Sequence, residues 1–360
     1  MKKTDVFMAC ESLAAGNGGI CRVARLMARV IGEEVQAGRI TASALSLNDN
    51  QSGVEWMLPM TVARGVRARY VWEVQKAALI HSHFIYDFVG MARAHCRIPI
   101  LRRPFLTWMH GIEVWEGTRA DRIAWARRAD VLVSNSAYTR DRADRAFGGF
   151  ARARVCWLGT ETDDPLPPHP ASSGPPTVLL MGRFDADGGY KGHRELVECW
   201  PKVVSAVPDA RLLFVGRGPG VSVIQQLAAQ STVGSHIEFR GFVPEEELDS
   251  VWAETNVFAM PSRGEGFGLV YIEAMRHGLP VVASVHDAAP EVNLNGVTGF
   301  NVNLDMPDEL PHRIILLLKN PERRAEMGRQ AQERWRGHFR YTCFRARFLP
   351  LLRYFLHDLG

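Results

Sequence analysis

The 360 residues are 46% hydrophobic and 23% charged, which excludes a wholly disordered chain and leaves room for two domains, each with its own core. No apolar run approaches the roughly 18 residues a membrane-spanning helix needs, and Asp5 interrupts the very short apolar stretch behind the basic start, which argues against a secretory leader. The net charge of +4 conceals an asymmetry: residues 1–160 hold 23 Lys and Arg against 14 Asp and Glu, and residues 161–360 hold 20 against 25. A basic first half predicts an anionic partner there. Charge alone suits nucleic acid, but that half has no basic-aromatic run and no recognisable nucleic-acid motif. A phospholipid surface or a lipid-linked phosphate fits the charge equally well.

In chain order, Asp5 to Cys10 reads as a strand, followed by a glycine loop at 14–19 and an amphipathic helix from about Ile20 to Glu34. Taken alone, such a loop is more often a tight turn than a phosphate site. Strands are predicted at Thr41–Leu47, Ala78–His83, Phe105–Met109, Asp130–Ser134 and Arg154–Leu158, with helices around Thr61–Lys76, Tyr86–Cys96 and Ala137–Ala146. This alternation predicts a parallel sheet covered on both faces, with ligands at the carboxyl ends of its strands. His81, His83, His110 and Glu113 are all expected at or just beyond such ends, and no combination has metal-ligand spacing. The six cysteines form no CxxC pair and lie mostly in apolar contexts, as reduced core residues of a cytoplasmic protein do.

Gly159 to Pro176 contains six prolines and no periodic apolar pattern, so a domain boundary is expected there. Beyond it come the strand Thr177–Met181, Gly182-Arg183, and Lys191-Gly192-His193 opening a helix to about Ala206. Arg183 and Lys191 are placed to meet one polyanion; the alternative is a solvated loop. Asp185-Ala186-Asp187 is read as a turn, because the neighbouring cations neutralise phosphates without a metal. The strand Arg211–Val215 leads into Gly216-Arg217-Gly218-Pro219-Gly220, where Pro219 spoils a dinucleotide fingerprint. Helices are predicted to Gln230 and over Pro244–Ala253, a short strand and turn over Ile237–Val243, and helical pieces from Pro307 to the end, broken at Pro321 and Gly337.

The most informative stretch is Met260 to Val285. A strand end precedes a loop with Gly264, Gly266 and Gly268, a helix over about Leu269–His277, a stop at Gly278 and a buried strand at Pro280–Ser284. Small residues admit a ligand close to the backbone, and a helix start presents N–H groups and partial positive charge to an anion. Glu265 in the loop and Glu273 in the helix have seven residues between them, and neither is needed for packing.

Asn17-Gly18-Gly19, His110-Gly111, Val133-Ser134, Gly182-Arg183 with Lys191-Gly192-His193, Val215-Gly216, Phe239 to Phe242, and Glu265 to Glu273 with Pro280-Val281-Val282-Ala283 occur in one order along nearly the whole chain. In these features the chain closely resembles the retaining glycosyltransferases of the GT-B fold, family 4.

The resemblance implies an α/β protein with two facing Rossmann-like domains and a cleft between them. Residues 1–160 would form the acceptor domain, 161–176 a Pro-rich linker and 177–338 the nucleotide-sugar domain, with a helix at about 341–360 packing back on the first. It further implies that Arg183 and Lys191 hold the diphosphate, helped by the backbone of Gly266, Phe267, Gly268, Leu269 and Val270. Glu273 would take the ribose, Glu265 the transferred sugar, and the neighbourhoods of Gly216 and Phe242 the base. Gly18 and Gly19 would approach the phosphates and His110 the sugar. The implied substrate is a UDP-, GDP- or ADP-sugar, with no metal or other cofactor. The implied acceptor is a saccharide or lipid-linked molecule; the basic excess of the first half, with the stretches Arg64–Arg69 and Arg97–Arg103, suggests a lipid-linked diphosphate met by peripheral contact with an anionic membrane at the inner face, the alternative being a solvated basic surface. Two alternatives remain at this level: a sugar-nucleotide epimerase of similar fold, and a nicotinamide-dependent oxidoreductase, for which neither glycine loop supplies an intact fingerprint.

Overall fold

The computed structural model describes residues 4–14, 18–169, 174–186 and 189–358. Asn17, Asp187 and residues 170–173 of the Pro-rich stretch lie outside the described residues. The chain divides into two compact units, residues 1–162 with 340–360, and residues 163–339.

The first unit runs β1 (Thr4–Cys10), α1 (Gly19–Gln36), β2 (Ile40–Ser46), β3 (Gly53–Glu55), β4 (Leu58–Val62), α2 (Arg67–Ala77), β5 (His83–Tyr86), α3 (Val89–Ala92), β6 (Phe105–Met109), α4 (Ala120–Arg128), β7 (Val131–Ser134), α5 (Ala137–Phe147) and β8 (Arg154–Val155). Its sheet has the order β3-β4-β2-β1-β5-β6-β7-β8, parallel except for the β3–β4 hairpin. Strands such as Val131–Ser134 and Phe105–Met109 are buried along their whole length because helices cover both faces. Progress along the sheet reverses between β1 and β5, which makes their carboxyl ends the place where loops diverge and leave room for a ligand.

This unit departs from the sequence reading in several places. The helix expected from Thr61 begins only at Arg67, because residues 58–62 form a strand whose Met60, Thr61 and Val62 pair with β2. The β3–β4 turn was not legible: Trp56 and Met57 occupy it at φ 51° and 66°, a conformation usually marked by Gly or Asn. The backbone of Trp56 lies on α1 at Gly32, where a Cβ would come within 1.8 Å of its carbonyl oxygen, so packing imposes the turn. The strand expected over Ala78–His83 begins only at His83; Leu79 and Ile80 are exposed turn residues. The helix expected over Tyr86–Cys96 shrinks to α3, and α4 was not anticipated. His81 and His83 therefore sit at the amino end of β5, the edge opposite the ligand edge. His81 Nδ1 lies 2.8 Å from the Asp5 carboxylate near the start of β1, and the His83 ring packs edge-on against Phe355.

The second unit runs β9 (Thr177–Met181), α6 (His193–Ala206), β10 (Arg211–Val215), α7 (Val221–Gln230), β11 (Ile237–Gly241), α8 (Leu248–Glu254), β12 (Val257–Ala259), α9 (Leu269–Arg276), β13 (Val281–Ser284), α10 (Ala289–Val292), β14 (Gly299–Val302), α11 (Glu309–Lys319) and α12 (Pro321–His338). Its six strands are all parallel, in the order β11-β10-β9-β12-β13-β14. That is the doubly wound arrangement, with the reversal between β9 and β12. Pro321 starts α12 where expected, but Gly337 lies inside it and the break comes at Phe339–Arg340.

The last helix, α13 (Tyr341–His357), belongs to the first unit. Its basic residues meet acids on α1: Tyr341 donates to Glu33 at 2.6 Å, Arg345 also donates to Glu33, and Arg353 bonds Glu34 at 3.3 Å. Phe344 and Phe348 pack on Trp108 of β6. With α13 included, the first unit holds 27 Lys and Arg against 16 Asp and Glu, and the second holds 16 against 23. The charge division of the sequence therefore follows the structural units and widens.

Candidate active site

In the second unit, three loops leave the carboxyl ends of the strands beside the reversal. Arg183 follows β9 and is largely exposed, its nearest acid being Asp185 at 3.5 Å. Lys191 comes just before α6, and its side chain is only 15% exposed. The glycine loop follows β12 and brings the Glu265 carboxylate 2.5 Å from Lys191 Nζ. Burial alone lowers the affinity of Lys191 for its proton, but the Glu265 carboxylate and the neighbouring Tyr190 outweigh it, so the ammonium is held above its ordinary value.

Tyr190 fastens the two loops together. Its carbonyl accepts the Arg263 N–H at 2.7 Å, its ring lies under Lys191 Nζ at 5.2 Å, and a Cβ on Gly264 would come within 2.9 Å of it. Sequence reasoning missed it; the only available signal was an aromatic residue directly before Lys191-Gly192.

Helix α9 opens at Gly268, whose φ of +86° and whose approach to the Tyr271 ring (a Cβ would stand 2.2 Å from it) admit only glycine. Among the described residues no side chain caps this end, so the first-turn N–H groups of Leu269 and Val270 and the positive end of the helix dipole are directed at the loop. Phe267 is buried and packs against Phe339, so its backbone is the part available to a ligand. Glu273 lies one turn into the helix and is half-buried.

At the ends of β10 and β11, a cavity of about 70 Å³ is lined by Phe184, Phe214, Gly216 and Phe239 among others. Gly216 is required by packing as well: at φ +143° a Cβ would stand 1.9 Å from the Gly182 carbonyl oxygen, where the ends of β9 and β10 draw together. Phe242, half-exposed, carries the Arg217 guanidinium 4.6 Å above its ring. A larger groove of about 740 Å³, lined by Gly296, Val297 and α12, lies away from these strand ends and contains none of the predicted site residues.

His193, in the Lys191-Gly192-His193 motif, is a core residue. It is fully buried, its ring lies tilted against Phe184 with centroids 4.1 Å apart, and neither ring nitrogen has a partner among the described residues. Burial, reinforced by the Lys191 charge, holds it neutral, its pKa lowered to about 3.

In the first unit, Gly18 caps α1 at φ +88° and Gly19 is the first helical residue. His110 ends β6 and is fixed on every side. Its Nε2–H donates to the Asp87 carbonyl at 2.7 Å, its backbone N–H donates to the Glu113 carboxylate, and its carbonyl accepts Asn135 Nδ2–H at 2.9 Å. Because a carbonyl only accepts, Nε2 carries the proton and Nδ1 is the nitrogen that remains for other chemistry. The ring stacks nearly parallel to Trp108. Among the described residues no group of three or more His, Cys, Asp and Glu is placed to hold a metal ion.

Residues 164–334 match the family of glycosyl transferases group 1. Over 239 residues the chain is 35% identical to the GDP-mannose-dependent alpha-(1-6)-phosphatidylinositol monomannoside mannosyltransferase of Mycolicibacterium smegmatis, covering 61% of this chain and 62% of that protein. The chain thus spans less than two thirds of the length of the curated relatives it matches. Among solved structures, Anabaena Alr3699/HepE in complex with UDP and glucose superposes with a TM-score of 0.76 at 19% identity, covering 97% of this chain and 99% of that one. Sucrose-phosphate synthase from Thermosynechococcus elongatus does so with 0.78 at 20%, covering 98% of each. These likenesses give the fold, which is GT-B with two Rossmann-like units.

Proposed function

We propose that the protein is a retaining glycosyltransferase, of the family-4 type, that moves a hexose from a nucleoside diphosphate sugar to a lipid-linked acceptor. The observation that carries this reading is the placement of Lys191, Glu265 and the uncapped start of α9 beside the strand-order reversal of the second unit. An anion seated there meets Lys191, Arg183 and the first-turn N–H groups, with Glu273 on α9 assigned to the ribose diol and the neighbourhoods of Gly216 and Phe242 to the base. Gly18 and Gly19 open a helix start of the same kind in the first unit. With a diphosphate on Lys191, Glu265 is released to bind the hydroxyls of the transferred sugar.

In the reaction the bond between the anomeric carbon and the diphosphate oxygen breaks, and its electron pair leaves with the nucleoside diphosphate. The acceptor oxygen bonds the same face of that carbon and gives its proton to the departing phosphate oxygen. Charge developing on the leaving group is met by Arg183, Lys191 and the helix dipole, preorganised donors of the kind worth several kcal/mol. These groups need no metal to do so. The relatives named for GDP-mannose and a phosphatidylinositol mannoside make that donor and acceptor class the first to test. NMR of the product is expected to retain the donor's anomeric configuration in the presence of a chelator; an inverted product removes the front-face mechanism.

Contact with an anionic membrane surface is supported by one patch of the first unit. Trp72, Leu79, Ile80, Ile98 and Ile100 are exposed beside Arg97, Arg102 and Arg103, and bonds from Gln75 to the Ala94 carbonyl and from Arg103 to the Ala78 carbonyl tie α2 to residues 94–103. No helix among the described residues is long and apolar enough to cross a membrane. Flotation with vesicles containing phosphatidylinositol should recover the protein, and Trp72→Ala with Ile100→Ala should reduce the recovery; absence of the wild type from the floated fraction removes this contact from the reading.

A further inference from the structure

We propose that Asp287 is a positioning residue for Glu265, acting through the backbone of the glycine loop without touching substrate. The inference rests on the transferase reading above for its functional meaning. Glu265 stands between Gly264 and Gly266, so its immediate neighbours place little restriction on the backbone. What restrains it comes from the segment after β13. Asp287 Oδ2 accepts the Glu265 N–H at 3.0 Å, and the Ala288 N–H donates to the Glu265 carbonyl at 3.1 Å. Both backbone polar groups of Glu265 are thereby bound to two successive residues.

The other end of this contact is fixed as firmly. Asp287 Oδ1 accepts the Ala289 N–H at 2.8 Å, at the start of α10. The His286 N–H donates to Ser284 Oγ at 3.1 Å, the Ser284 hydroxyl donates to the Ser262 carbonyl, and Ser262 Oγ accepts the Gly264 N–H at 3.0 Å. The result is a closed ring of hydrogen bonds running from the end of β13 through Asp287 to Glu265 and back through Ser262. Asp287 is 2% exposed, and a buried carboxylate is costly unless its oxygens are bound, as both are here by backbone donors. The ring aims the Glu265 side chain at Lys191 and holds it there. Without the Asp287 carboxylate, the glycine-flanked backbone regains its freedom and the carboxylate leaves its place.

The test combines hydrogen exchange of the loop amides, residues 262–270, with turnover. Asp287→Ala is expected to lose protection of the Glu265 amide and to lower kcat about tenfold to a hundredfold, as for a catalytic group displaced by an ångström or less. Affinity for the free nucleoside diphosphate should stay within about threefold, because Lys191 and α9 remain. Asp287→Asn keeps one side-chain acceptor and is expected to restore most of the protection and of kcat. Loop protection unchanged in Asp287→Ala overturns the proposal, as does a fall in kcat without loss of protection. If Asp287→Ala does not fold, Asp287→Ser, with a shorter single acceptor, carries the same comparison. A wild type that transfers no hexose from any sugar nucleotide defeats the transferase reading alone, since the exchange of the Glu265 amide still judges Asp287.

Discussion

The two units have the same kind of scaffold, and what each places at its strand-order reversal differs in kind. In the second unit the reversal is lined by cations and a helix start, Arg183, Lys191 and α9, and of the carboxylates among them it is Glu265 that pairs with Lys191 while Asp185 lies beside Arg183 and Asp287 holds the loop backbone. In the first unit the corresponding edge carries His110 locked to the Asp87 carbonyl, Glu113 and Asn135, and buried acids that serve the loops themselves. Asp49 accepts the Ser12 hydroxyl and the Leu13 N–H, and Asp87 accepts the Glu11 N–H. One edge leaves cationic groups at the loop ends; the other uses its acids to hold loop backbone and fixes the His110 ring through a backbone carbonyl. The basic surplus of the first unit therefore lies elsewhere, on α1 and α13 where it meets Glu33, Glu34 and Glu161, and on the exposed patch near α2. A net charge assigns a partner to a unit, but not to its strand ends.

The difference is sharpest in Lys191→Ala, which removes the buried cation and leaves Glu265 without its partner. Turnover is expected to fall by about a thousandfold or more while circular dichroism still reports the fold; Arg183→Ala, at an exposed position, should cost a similar share of activity and almost no stability. Near wild-type rates in both would end the diphosphate assignment. The first-unit counterpart is His110→Ala, for which kcat should fall by about a hundredfold with nucleotide affinity intact, as measured by calorimetry. A loss of nucleotide affinity instead would put both units' edges on the nucleotide and erase the comparison.

Within the second unit, Glu273→Gln should weaken nucleotide binding by about tenfold, and Glu265→Gln should lower turnover more than binding. The reverse pattern would exchange their roles. The smallest effect concerns stability. His193 is buried and neutral with its pKa lowered to about 3, so the unfolded chain binds the proton more strongly and acid favours unfolding. This contribution is fully present above the unfolded value of about 6.5 and is lost as pH falls toward 3. Denaturant titrations should show His193→Leu losing less stability over that window than the wild type, and parallel losses would contradict the buried neutral ring.

The second unit was the more legible from sequence, for a physical reason. Its strands Thr177–Met181 and Arg211–Val215 and its helix His193–Ala206 have the bounds the apolar pattern predicted, and Gly268 announces a helix start that no other residue can make. In the first unit, exposed apolar residues misled: Leu79 and Ile80 look like a buried strand and form a surface turn, and this carried His81 and His83 to the wrong edge. The β3–β4 hairpin was illegible because its turn is made by Trp56 and Met57 under pressure from α1, not by turn-forming residues.

By itself, the sequence determined two α/β units, a helix start after three glycines, and the charged residues on the loops near it, because periodicity, glycine spacing and local charge act over a few residues. Only the tertiary structure decided that Lys191 pairs with Glu265 across 74 positions of chain, that Tyr190 fastens their loops, and that Asp287 holds the backbone of Glu265. Those contacts join strand ends that are distant in sequence, and they exist only once the parallel sheet has set β9, β12 and β13 side by side.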